Sequence, residues 1–91
     1  MIKLTLNNNF SLLFEKHNKK IKLIITDGYT ALACRKETLA NLRRFLQPDQ
    51  SSLFKGRLQL HKQDEIIVVT LKGHPMGQVT FDDLQKTVSV Y

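Results

Sequence analysis

The sequence predicts an α+β fold: a mainly antiparallel sheet of about six or seven short strands packed against one α-helix, at about residues 36–47. Three observations predict it. Apolar and polar residues alternate over most of the chain, the period of half-buried strands. One stretch, KETLANLRRFLQ, instead repeats at helical period. The connections between periodic segments are short enough for hairpins and too short for parallel crossovers.

Ile2, Leu4 and Leu6 alternate with Lys3 and Thr5 as a first strand. Asn7, Asn8 and Asn9 read as a turn, because Asn tolerates left-handed backbone and bonds its own chain. Phe10, Leu12 and Phe14 form a second strand, followed by a basic loop, Lys16 to Lys20. Ile21, Leu23 and Ile25 form a third, closed by Asp27-Gly28, a strong hairpin signal. Tyr29 to Cys34 returns as a fourth strand, with Ala31 and Ala33 small enough for a helix to lie close.

In the helix, Leu39, Leu42 and Leu46 fall at i, i+3 and i+7 with Phe45 beside them, one apolar stripe. Glu37 in the first turn and Arg43 and Arg44 in the last suit the helix dipole. No Ser, Thr, Asp or Asn directly precedes Lys36, and Pro48 ends the segment. Three turns are marginal alone in water, so the stripe must pack on a sheet. With no helix before it, the segment lacks the partner that a helix-turn-helix requires. It is expected to be the lid of the core, with function on the opposite face of the sheet.

Pro48 to Ser52 is a loop, and Leu53 to His61 a fifth strand with Gly56 as a bulge. Ile66 to Leu71 is strongly apolar and rich in β-branched residues, which marks a central strand. Gly73, His74, Pro75, Met76 and Gly77 read as a loop leading to a strand at Gln78 to Phe81. Asp82-Asp83 caps a helical turn or bend, and Thr87 to Tyr91 alternates as a final edge strand. The sequence shows no internal repeat, low-complexity tract or linker, so residues 1–91 are expected to form a single compact domain.

The composition is 42% hydrophobic and 24% charged, ordinary for a globular chain and contrary to disorder. No run approaches the ~18 apolar residues of a membrane span, and the start of the chain lacks the apolar core of a signal peptide. The single Cys34 excludes an internal disulfide. A cytoplasmic protein is the expectation. The net charge of +6 is unevenly placed. Met1 to Gln47 carries nine Lys and Arg against three acids, whereas Pro48 to Tyr91 carries five of each. Such a balance bears on solubility and acidic partners rather than on fold.

Most enzymatic chemistry lacks its residues. His17, His61, His74 and Cys34 show no paired metal-ligand spacing, so no metal or cofactor is expected. Cys34 on a strand reads as a small core residue rather than a nucleophile. Asp64-Glu65 and Asp82-Asp83 are adjacent acids of turns and caps, not an acid–base pair. GHPMG loses a backbone donor at Pro75 and precedes no phosphate-binding helix with Lys or Ser. The expectation is not an enzyme.

Nucleic-acid binding remains. Lys55, Arg57, Gln59 and His61 share one face of the fifth strand, opposite Leu58 and Leu60, and Lys22 shares a face with Lys20. With Lys16 and Lys19 at the hairpin tip they make a basic, hydrogen-bonding surface for phosphates, with Tyr29, Phe10 or Tyr91 available to stack. A solvated outer face accounts for the same residues. The alternative function is a protein–protein module for an acidic partner, inhibitory or immunity-like, using His74 and Met76 or an edge strand. The final strand, Thr87 to Tyr91, would also allow homo-oligomer formation by edge pairing.

CRKETLANLRRFL resembles the strand-to-helix junction of small single-strand-binding transcriptional cofactors, a family whose unit ends at its helix. The rhythm GRLQL, IIVVTL, GQVTF resembles small bacterial strand-rich domains of immunity or unknown type. Here further strands are expected after the helix, and neither resemblance assigns a site residue.

Overall fold

The structure, a computed structural model, describes residues 1–6 and 9–91. Strand β1 (Ile2–Thr5), β2 (Ser11–His17), β3 (Lys20–Thr26) and β4 (Ala31–Thr38) form one antiparallel meander, which runs into helix α1 (Leu39–Phe45). Strand β5 (Ser52–Leu53), β6 (Leu58–Gln63), β7 (Ile66–Leu71) and β8 (His74–Thr80) form a second, which runs into α2 (Phe81–Val90). The α+β class and the antiparallel pairing match the sequence expectation. The expected single sheet of six or seven strands with one helix is corrected to two sheets of four strands and two helices, among the described residues. Alternation shows which face of a strand is apolar, but not which strands share a sheet.

The chain is therefore a four-strand–helix unit used twice, the internal order that its sequence conceals. Each unit makes its second hairpin with a left-handed residue, Asn18 (φ 58°) or Asp64 (φ 56°). A threonine caps each helix: Thr38 Oγ1 accepts from the Asn41 N–H at 3.2 Å, and Thr80 Oγ1 from the Asp83 N–H at 3.0 Å. Leu42 and Leu84 then stand buried at matching places in the two helices. Left-handed turns, caps and apolar phase require only residue classes, so little sequence identity is needed to repeat them.

Four local expectations are corrected. Lys36 and Glu37 belong to β4, and α1 begins only after Thr38. The Glu37 carboxylate still serves the helix start, accepting from the Thr38 N–H at 2.9 Å and the Asn41 side-chain amide at 2.8 Å. The expected final edge strand Thr87–Tyr91 is the last part of α2 and Tyr91. Phe81, Leu84, Val88 and Tyr91 repeat at helical spacing, Asp82 pairs with Lys86 at 3.0 Å, and the acids sit in the first turn. These local terms outweigh the β-branched residues at its end.

The expected Gly73–Gly77 loop is mostly β8. Lys72 (φ 53°) and Gly73 (φ 81°) make a two-residue turn of the kind that matches strand twist, and pairing resumes at His74. Pro75 is tolerated because β8 is a sheet edge, beside a register shift at Val69/Thr70. The expected fifth strand is broken between Leu53 and Leu58, where Phe54 (φ 69°) and Gly56 (φ 140°) reverse the chain. Of the Asn7–Asn9 turn, Asn7 and Asn8 lie outside the described residues, and Asn9 has φ 67°.

The apolar phases of both sheets converge. Leu12, Phe14, Leu23 and Ile25 from the first sheet join Leu58, Leu60, Ile67 and Val69 from the second in one buried cluster. Leu42, Phe45, Leu84 and Val88 supply the helical side of it. No helix is long and apolar enough to cross a membrane among the described residues.

Candidate nucleic-acid interface

With Ile21, Leu23 and Ile25 buried, the period of two turns Lys20, Lys22, Ile24 and Thr26 to the outer face of β3. Register then fixes the neighbours. Lys22 stands directly between Glu15 of β2 and Lys36 of β4, and Lys20 between His17 and Thr38. Lys36, placed in the helix by sequence reasoning, is therefore part of this surface. The signal that would have found it was Thr38, a better cap than anything before Lys36.

The basic hairpin tip is a two-residue turn rather than a loop. His17 and Lys20 close the ladder, and Asn18 and Lys19 form the turn. His17, Asn18, Lys19, Lys20 and Lys36 line one shallow depression of about 550 Å³. Lys16 pairs with Ile21 in the core phase of β2, yet it is exposed because the sheet ends there.

Lys55 and Arg57 do not share a strand face with Gln59 and His61, because they lie on the β5–β6 connection. Both nevertheless reach the first sheet. The Arg35 guanidinium of β4 donates to the Lys55 carbonyl at 3.0 Å and lies 5.1 Å from the centre of the Phe54 ring. Arg35 and Arg57, with Ala33, Cys34 and Leu58, line a cleft of about 270 Å³, and Cys34, expected in the core, is exposed. A Cβ at Gly56 would stand 2.9 Å from the Arg35 guanidinium, so glycine permits this approach. Arg35 is the second residue that sequence reasoning missed; its partner lies 20 positions away.

Gln59 and His61 sit apart from the lysines of β3. The Gln59 amide donates to the Gly56 carbonyl at 3.0 Å, inside its own turn. His61 is half-buried and lies opposite Ser52 and Val68 on the second sheet. The structure thus joins Lys19, Lys20, Lys22 and Lys36 at one end of β4, while Lys55 and Arg57 gather with Arg35, which stands opposite Leu23 in the inner phase of this edge strand. Among the described residues the only ion pair is Lys86–Asp82, which leaves these cations unpaired.

The three aromatic candidates separate. Tyr29 is 97% exposed at the β3–β4 tip. Phe10 packs against the core. The Tyr91 hydroxyl donates to the Phe14 carbonyl at 3.0 Å, and burial, with the Glu15 charge second, raises its pKa. For the alternative surface, His74 is exposed, whereas Met76 is half-buried against the core. No group of three or more His, Cys, Asp or Glu able to hold a metal occurs among the described residues. Comparison with protein-family models, with curated proteins and with solved structures finds no match for this chain.

Proposed function

We propose that this chain is a non-enzymatic module that binds nucleic acid by its phosphate backbone. The binding surface is a basic band: the Asn18–Lys19 turn, the outer face of β3 and β4, and the β5–β6 connection. One observation carries the reading. Lys22 and Lys36 face each other directly across β3 and β4, and neither has an ion-pair partner among the described residues. Like charges directly opposite in a sheet destabilise it, and a polyanion lying between them turns that repulsion into attraction. Pro75 and the register shift weaken the alternative at β8, since they spoil the ladder that an added strand would need at that edge.

The reading predicts that stability and binding respond with opposite signs to one substitution. Lys36→Glu replaces a repulsive cross-strand pair by an attractive one, so the melting temperature should rise by a few degrees. The same variant should bind labelled oligonucleotide about tenfold more weakly at low salt and flatten the slope of log affinity against log salt by about 1–2. Fluorescence anisotropy over a salt series measures both quantities. Wild-type protein that binds neither DNA nor RNA at low salt would refute the proposal.

A further inference from the structure

We infer, resting on the proposed nucleic-acid reading, that the ligand is single-stranded and that Tyr29 is a post on which one of its bases stacks. The first observation is the tip itself. The Asp27 carboxylate accepts from the Tyr29 N–H at 2.9 Å and the Thr30 N–H at 2.8 Å. The Thr26 hydroxyl accepts from the Gly28 N–H at 3.0 Å and donates to the Thr30 carbonyl at 2.8 Å. Four short bonds thus fix the backbone of a tyrosine whose side chain is 97% exposed. An aromatic ring carried on an ordered backbone loses little further freedom when a base lies on it, so stacking there is not spent on ordering the loop.

The second observation is the surface between the tip and the lysines. Lys3, Leu13, Ile24 and Cys34 form one row across the outer face of the first sheet, because each is the register partner of the next. Leu13 and Ile24 are half-buried and stand outside the apolar cluster of the core. This row lies on β3 between the Lys22–Lys36 pair and the tip, about 17 Å from Lys22 to Asp27 at the rise of a strand. Cations, then an aliphatic strip, then a free aromatic ring suit a chain that offers phosphates and unstacked bases together. A duplex hides its base faces and presents phosphates and groove edges, leaving the strip and the ring without a partner.

Anisotropy with a labelled single strand of about 15 nucleotides, and with the duplex of the same sequence, tests the inference on the full chain. Tyr29→Ala should weaken single-strand binding about 5- to 150-fold and leave duplex binding unchanged, while Tyr29→Phe should bind as wild type does. Full exposure of the side chain predicts an unchanged melting temperature for both variants, which excludes misfolding as the cause. If Tyr29→Ala binds single strands normally while Lys36→Glu does not, stacking is refuted and the phosphate reading stands. Tighter binding of the duplex than of the single strand by wild-type protein also refutes the inference alone. Binding of neither removes both.

Discussion

At the scale of single residues, Asp27 fastens the β3–β4 tip through hydrogen bonds to its own loop. Its carboxylate is held below the ordinary value of 3.8 because it accepts the Thr30 and Tyr29 amide hydrogens. A depressed carboxylate stabilises the fold fully above its unfolded value and loses that contribution as pH falls through the folded one. Asp27→Ala removes the contribution at every pH. The melting temperatures of wild type and variant should therefore differ near neutrality, and the gap should narrow as pH falls below the ordinary value of 3.8 and through the lower folded one. A gap of constant size down to acid pH would show that the carboxylate does not fasten the tip. The sequence made the hairpin at Asp27-Gly28 legible, since that pair of residue types suits the turn. It did not reveal that Tyr29 stands free while Tyr91 is tied to Phe14, because that contrast depends on tertiary surroundings.

At the scale of elements, α2 shows where one-dimensional pattern fails. Val88, Ser89 and Val90 alternate as a strand would, yet Val88 is buried and Val90 is 71% exposed, two residues apart on a helix. The deciding information lies upstream, in Thr80 as cap and in the Asp82–Lys86 pair. Replacing Thr80 by Ala leaves the Asp83 N–H without this acceptor, which costs about 0.5–2 kcal/mol. In a domain of this size that lowers the melting temperature by roughly 4–8 °C for each kcal/mol. Thermal unfolding followed by circular dichroism measures it, and an unchanged melting temperature would deny the cap. The central strands were legible for the complementary reason. In β3 the apolar Ile21, Leu23 and Ile25 fall at alternate positions, and in β7 a continuous β-branched run marks an interior strand; burial on the inner face follows. The β5–β6 connection was not, since left-handed Phe54 carries no residue signal for its turn. That break moved Lys55 and Arg57 off the expected strand face and against Arg35.

At the scale of the whole molecule, the two units differ in charge but share one core. The basic excess belongs to the half that contains β1–β4 and α1, while the half with β5–β8 and α2 carries equal numbers of acids and bases. The β2–β3 turn is Asn18-Lys19, and its counterpart between β6 and β7 is Asp64-Glu65. Specialisation of the surface coexists with a shared interior, since one buried cluster takes residues from both sheets and both helices. We predict that the units consequently unfold as one. Phe45, on α1 and fully buried at 0% exposure, belongs to that cluster. Phe45→Ala opens a cavity there and should cost about 3–5 kcal/mol, a large part of the 5–15 kcal/mol typical of a domain. Native-state hydrogen exchange on wild type and variant distinguishes the alternatives. With a common core, the amides of Leu23 in β3 and Val69 in β7 should lose protection by the same amount, although Phe45 follows only the first sheet in the chain. Loss at Leu23 with Val69 unaffected would instead mean two units that fold separately. The repeat would then be a pair of joined modules, and removal of the neutral half would take Lys55 and Arg57 but leave the lysines of the Asn18–Lys19 turn, β3 and β4.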